Sequence, residues 1–299
     1  MEHAHPVIQP FLDYLKFEKR FSRHTIISYQ TDLISFFDYL QIQYGDMSLQ
    51  QLSHSYIRSW LASLKDSGMV AKSINRKIST LRSFFKYQLK TGTMQQTPMT
   101  KVVAPKNGKR LPNFVAKKDV DTLFSHVEFD EGWKGKTERI VLLLFYHTGM
   151  RLAELISLTE NHVNFGSHTI KVLGKGNKER IIPLSGELIG IIKEYITAKK
   201  ELNLQGREEA LLISEKGKKL APRSVYASVR KYLDLVTTIE KRSPHILRHT
   251  FATHLTNNGA DLNAVKELLG HSSLASTQVY THNTIEKLKN IYKQAHPKA

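Results

Sequence analysis

The sequence predicts a mainly α-helical protein of two domains, with one small antiparallel β-sheet in the second. Three observations predict it. Apolar residues recur at helical spacing from Val7 to about Thr91, a stretch rich in proline and basic residues then interrupts the pattern, and β-branched runs appear only around one glycine turn further on. At 299 residues the chain also exceeds the roughly 100 to 200 residues of a usual single core.

Four helices account for the first part. Phe11, Leu12 and Leu15 open the pattern; Tyr29, Leu33, Phe36, Phe37 and Leu40 continue it; Ile57, Trp60, Leu61 and Leu64 make a third stripe; Ile74, Ile78, Leu81, Phe84 and Phe85 make a fourth. Ser22 is a suitable N-cap for the second helix, Lys72 or Ser73 lies near the start of the fourth, and Gly92 sits where a helix can end. Thr97–Pro112 holds Pro98, Pro105, Pro112 and Gly108 with Lys101, Lys106, Lys109 and Arg110, and shows no apolar period. It reads as a linker, dividing the chain into a domain over 1–96, a linker over 97–112 and a domain over 113–299.

In the second domain Thr169–Leu173 and Glu179–Leu184 flank Gly174-Lys175-Gly176-Asn177, a hairpin pattern, and His162–Phe165 can add a short third strand. Helices are expected over Glu187–Leu202, Ser224–Val236, His245–Asn257, Asp261–Leu269 and Thr284–Ala295, with a short amphipathic stretch at Leu152–Leu158. No solenoid repeat is present.

With 44 Lys and Arg against 27 Asp and Glu, the formal charge is +17, which favours a polyanionic partner: nucleic acid, or an anionic membrane surface as the rival. Residues 1–110 carry 16 basic and 7 acidic residues, leaving 28 and 20 of those totals for the rest. Both parts are therefore basic. Apolar runs such as Ile140–Tyr146 fall far short of the roughly 20 residues that span a bilayer. The N-terminus Met1-Glu2-His3-Ala4-His5-Pro6 does not read as a secretory signal. The absence of cysteine excludes disulfides and thiolate metal sites and is compatible with a reducing cytoplasm.

The chemistry-bearing residues lie in the second domain. A phosphodiester under attack gains charge on its non-bridging oxygens, so a catalyst without a metal needs fixed cations aimed there, and guanidinium forks match best. Arg151 and Arg248 are candidates. Arg151 follows Thr148-Gly149 near a helix start, where backbone amides favour anions; the bland alternative is a salt bridge to Glu154 or another acid. In His245-Ile246-Leu247-Arg248 the three-residue separation puts imidazole and guanidinium on one helix face. His245 can accept a proton from an attacking hydroxyl or bridge the charged oxygens, whereas His249 is turned about 100° away.

Lys175, at the hairpin tip, can protonate a leaving oxygen; Lys178 and Arg180 are nearby alternatives that spacing does not separate. Tyrosine can act as a covalent nucleophile, but with a free pKa near 10 only about one in a thousand is ionised at neutral pH, a deficit of roughly 4 kcal/mol. Tyr280, one of 12 tyrosines, therefore needs cations beside it. His271, after Gly270, either caps helix carbonyls or joins the same site.

In order, Thr148-Gly149-Met150-Arg151, Leu173-Gly174-Lys175-Gly176-Asn177-Lys178-Glu179-Arg180, His245-Ile246-Leu247-Arg248-His249-Thr250-Phe251-Ala252-Thr253-His254, Leu268-Leu269-Gly270-His271 and Thr277-Gln278-Val279-Tyr280-Thr281-His282 closely resemble the tyrosine recombinases of the phage integrase family, specifically the bacterial Xer type. Ser22-Arg23-His24-Thr25 with Tyr29, Asp32, Leu33 and Phe36 is similar to that family's helical, SAM-like core-binding domain, so the resemblance covers nearly the whole chain. It implies that Arg151, Lys175, His245, Arg248 and His271 gather around a scissile phosphate with Tyr280 as nucleophile, and it selects Lys175 over Lys178. A 3′-phosphotyrosyl link and a free 5′-hydroxyl follow. Bond energy is conserved, so neither ATP nor a metal nor another cofactor is implied.

The resemblance further implies two domains clamping duplex DNA at a specific recombination site. Lys72, Asn75, Arg76 and Lys77 on the fourth helix are then candidate DNA contacts, with Lys178 and Arg180 beside the catalytic hairpin; a solvated helix face is the alternative for the first four. The apolar stripe Ile285, Leu288, Ile291 resembles a C-terminal helix that docks on a neighbouring subunit, or else packs within its own chain. Four protomers on two sites are expected, with room for a second related recombinase and a regulatory DNA translocase, in a cytoplasmic enzyme resolving chromosome or plasmid multimers. Ala153, where serine is frequent, and Asn257-Asn258 depart from the common pattern without touching these roles. Relaxation of DNA in the manner of a type IB topoisomerase, and a DNA-binding regulator without chemistry, are the alternatives; the complete set of six residues argues against the second.

Overall fold

Two separate apolar patterns build two separate cores. The computed structural model describes residues 6–106, 113–174, 179–202, 209–270 and 282–298, with the side chains of 282–288 left aside, and it divides into a unit over residues 1–110 and a unit over 111–299.

In the first unit, α1 (Ile8–Asp13) widens into a π-helical turn at Tyr14–Glu18, followed by α2 (Arg23–Tyr44), α3 (His54–Asp66) and α4 (Ala71–Lys90). Ser22 caps α2, its Oγ accepting from Thr25 N at 3.3 Å, which satisfies an amide the first turn leaves unpaired. The sequence stripes meet in an aromatic core. Phe36 packs edge-on against Trp60 with ring centres 5.1 Å apart, and Phe11 against Phe84 at 5.5 Å. Ring pairs of this geometry add about 1 kcal/mol each to the burial of the rings themselves.

One polar group interrupts that core. Asp32, on the α2 face that carries Leu33 and Phe36, is fully buried and accepts from Arg76 Nη1 at 2.6 Å, Lys77 Nζ at 3.1 Å and Thr80 Oγ1 at 2.9 Å. A buried carboxylate is tolerated only when so paired, and here the pairing pins α2 to α4. Lys77, expected from sequence as a DNA contact, is itself 5% exposed. Its ammonium faces inward, so it is a brace of this unit and not a contact at its surface.

The second unit begins with α5 (Lys117–Ser125) and α6 (Gly132–Thr148). From Ile140 to Thr148 every residue of α6 is buried, so this central helix is apolar on nearly all sides and leaves no helical period in the sequence. After α7 (Leu152–Ile156) come the strands β1 (Val163–Asn164), β2 (Thr169–Leu173) and β3 (Glu179–Pro183), an antiparallel sheet in that order with Lys171 opposite Ile181 and Val172 opposite Arg180. Ile170, Val172 and Ile182 enter the core.

The remaining helices are α8 (Gly186–Glu201), α9 (Pro222–Val236), α10 (Pro244–Asn257), α11 (Leu262–Leu269) and α12 (His282–Ala295). Proline supplies the first residue of α9 and α10, where its missing amide costs nothing. Among the described residues, no helix is long and apolar enough to cross a membrane.

The described end of α12 packs within its own unit. Tyr292 and His296 are buried; Tyr292 Oη lies 3.2 Å from His147 Nδ1, His296 Nε2 lies 3.2 Å from the Tyr146 carbonyl, and Asn258 Nδ2 donates to Ala295 O at 2.7 Å. Burial drives His147 down to about 3 and His296 to about 4, so both rings are neutral near pH 7.

Candidate active site

Gly149 fixes the geometry of the site. It ends α6 in the left-handed region at φ 58°, and a Cβ there would lie 2.4 Å from Phe251 Cδ1 and 3.0 Å from Leu269 Cδ2. Only glycine fits both the backbone and the space. The chain can then turn at once into Arg151, the N-cap of α7.

Glu154, three residues on, closes a capping arrangement: its Oε2 accepts from Arg151 N at 2.7 Å and its Oε1 from Arg151 Nη1 at 2.7 Å. The salt bridge read as the bland alternative for Arg151 is therefore real. It does not bury the arginine, whose side chain keeps 34% of its exposure. Arg151 Nη2 also donates to Gly270 O at 3.3 Å.

Arg248 lies in the second turn of α10 and is 8% exposed. Its Nη1 donates to Gly149 O and its Nη2 to Leu269 O, both at 2.6 Å. The two arginines thus hold consecutive carbonyls, Leu269 and Gly270, at the C-terminal end of α11. Burial, reinforced by the charges of Arg151 and Arg180 and opposed by Glu154, lowers Arg248 to about 10; it remains a cation at neutral pH.

Arg180 completes the group from β3. Its guanidinium grips Glu154 with two bonds, Nη1 to Oε1 at 2.9 Å and Nη2 to Oε2 at 2.8 Å, while Nε donates to Leu268 O at 2.8 Å. Burial pushes the Glu154 carboxyl up, but the bond and charge of Arg180, with the backbone and side chain of Arg151, outweigh it and hold the group at about 2. Arg180 was expected from sequence as a DNA contact; with its side chain 4% exposed it is instead an internal strut.

His245 is exposed at the start of α10, one turn before Arg248. Lys175 and Lys178, His271 and Tyr280 lie outside the described residues. In the first unit, Lys72 and Arg76 are exposed on α4, Asn75 is half-buried and donates to Pro105 O at 2.9 Å, and Arg76 also donates to Ser28 Oγ at 2.6 Å.

Sequence reasoning placed Glu154 only as a partner of Arg151 and did not see that it serves Arg180 as well. The capping spacing Arg151-x-x-Glu154 was the available signal. The role of Asp32 was also missed; an acid set among the apolar positions Tyr29, Leu33 and Phe36 was the sign of a buried carboxylate.

Three arginines face one carboxylate here, which leaves an excess of two positive charges on the described groups. Such a set can bind an anion with several oxygens and stabilise charge that develops on it.

Comparison with known proteins gives concordant findings. Residues 113–287 match the phage integrase family and residues 8–92 match the phage integrase N-terminal SAM-like domain. The tyrosine recombinase XerC of Chlorobaculum parvum is 35% identical, over 98% of this chain and 94% of the relative. That of Bacillus subtilis is also 35% identical, over 100% and 99%. Among solved structures, the XerH site-specific recombinase bound to palindromic difH substrate as a post-cleavage complex aligns with TM-score 0.70 and 20% identity, over 97% of this chain and 81% of that one, a likeness of fold.

Proposed function

The chain belongs to the phage integrase family, and from that premise we propose how its residues cut and rejoin DNA. It is a tyrosine site-specific recombinase. The observation that carries the assignment of residues is the convergence of Arg151 and Arg248 on consecutive carbonyls at the end of α11, immediately before the sequence that contains His271 and Tyr280.

In this reading, Arg151 and Arg248 take the non-bridging oxygens of the scissile phosphate and stabilise the charge that grows there. Tyr280 Oη attacks phosphorus, a 3′-phosphotyrosyl bond forms, and the bond to the 5′-oxygen breaks. Lys175 delivers a proton to that oxygen, and His245 accepts the phenol's proton or bridges the charged oxygens; His271 adds a further donor to the phosphate. The 5′-hydroxyl of a partner strand then attacks the phosphotyrosyl bond, restoring the diester and freeing the tyrosine. The number of phosphoester bonds is unchanged, so the sequence of steps is balanced without an external energy source.

The substrate is duplex DNA carrying a specific recombination site. Basic residues in both units and similarity to recombinases along the full chain support this. The working assembly is four protomers on two sites, with a second related recombinase and a DNA translocase as candidate partners, acting in the cytoplasm to resolve chromosome or plasmid multimers. The deciding experiment uses a nicked suicide substrate: wild type accumulates a covalent protein–DNA adduct, and Tyr280→Phe binds the same DNA with no adduct. An adduct formed by Tyr280→Phe overturns the assignment of the nucleophile.

A further inference from the structure

We propose that Arg180 is a positioning residue for DNA cleavage, pairing with both oxygens of Glu154 so that Arg151 keeps its positive charge for the phosphate. The inference rests on the reading of Arg151 as a phosphate ligand given above.

Glu154 is where the two functions of Arg151 conflict. The carboxylate is needed, because it accepts from the Arg151 backbone amide and one Arg151 side-chain nitrogen and so sets the direction of the guanidinium. Yet a buried carboxylate in contact with a buried or half-buried guanidinium largely cancels its charge, and the cancellation is strong where water is excluded. Alone, the pair would orient Arg151 and disarm it.

Arg180 removes the conflict. Its two bonds occupy the same two oxygens, and it is itself buried, so its charge is screened little by solvent. With Arg180 present, Glu154 faces Arg151, Arg180 and Arg248, three cations against one anion; without it, two remain. The favourable charge excess facing the substrate would be halved. The nitrogen of Arg180 that Glu154 does not use donates to Leu268 O, and Gly270 packs on its side chain, with a Cβ there only 3.2 Å from Cδ and Nη1. Arg180 therefore also fixes the end of α11, whose next two carbonyls are held by Arg248 and Arg151.

A brace and a charge-balancing residue respond differently to a second substitution. If Arg180 only filled space and tied β3 to α7, removing the Glu154 charge as well would remove more bonds and lower activity further. If it balances Glu154, replacing both members restores an excess of two positive charges, and glutamine at 154 can still close the capping arrangement with the Arg151 amide.

The test measures single-turnover adduct formation on the nicked substrate at saturating protein, with DNA affinity and melting temperature read in parallel. Arg180→Gln should slow adduct formation roughly 30-fold, less than the hundred- to thousand-fold loss of a direct oxyanion donor, with DNA affinity changed less than about twofold. The double variant Arg180→Gln/Glu154→Gln should then be about tenfold faster than Arg180→Gln alone. If Arg180→Gln does not fold, Arg180→Lys keeps the charge and should retain most of the wild-type rate. A double variant no faster than the single, or a folded Arg180→Lys as slow as a charge deletion, overturns the proposal. An inactive wild type alongside normal DNA binding would instead count against the function itself.

Discussion

Asp32 in the first unit and Glu154 in the second are both buried carboxylates at helix junctions, the first met by two cations and the second by three. Asp32 faces Arg76 and Lys77 and accepts a third bond from Thr80, so its charge and lone pairs are taken up within α2 and α4. Glu154 faces Arg151 and Arg180, with Arg248 close enough for the carboxylate charge to oppose the lowering that burial imposes on that arginine. The first arrangement joins two helices. The second joins a helix start to a strand and leaves two positive charges over where the first leaves one, and a larger cationic excess is what a site for an oxyanion requires. Similar buried acids thus serve opposite ends, according to how many cations the tertiary fold brings to each.

The largest effect should separate the two directly. Asp32→Asn leaves Lys77 buried without an anion, and the loss should be about 3 to 5 kcal/mol, read as a lower melting temperature with hydrogen-exchange protection lost along α2 and α4. An unchanged melting temperature would break the comparison at its first term.

Arg248→Lys tests the second term. It keeps a charge but removes the fork that bridges Gly149 O and Leu269 O, and a lysine cannot hold two phosphate oxygens in the same way. Adduct formation should fall about 100- to 1,000-fold in single-turnover assays. A rate close to wild type would show that Arg248 holds the fold and does no more.

The smallest effect sharpens the contrast within α4. Lys72 is exposed where Lys77 is buried, so Lys72→Met should weaken DNA binding by about 1 kcal/mol or less and lower the slope of log affinity against log salt by about 1. A similar change in salt slope from Lys77→Met would mean that the buried ammonium reaches DNA after all.

Much of the fold was legible in the sequence because it depends on local periodicity. The four apolar stripes of the first unit, the Ser22 cap and the two β-branched runs each follow from neighbours a few residues apart. The central helix α6 escaped the same reading, since burial on nearly every side erases the period that amphipathic helices show. The helix starts at Gly186, Pro222 and Pro244 lie one or two residues before those expected, within the range over which caps and first turns merge.

The site divides along the same line. Spacing alone put His245 and Arg248 on one helix turn, and the amphipathic stretch after Thr148-Gly149 placed Arg151 near a helix start, where the fold makes it the N-cap of α7. By itself the sequence determined most of the helical and strand elements, though not α5 or α6, together with the strongly basic charge and the family to which the ordered motifs point. Only the tertiary structure decided which cations face outward. Lys77 and Arg180 read as surface charges because a lysine or arginine carries no local mark of burial, and their partners Asp32 and Glu154 lie 45 and 26 residues away in the chain. A pairing over that distance is set by how helices and strands pack, since the carboxylate and its cation meet only after the elements between them have been placed.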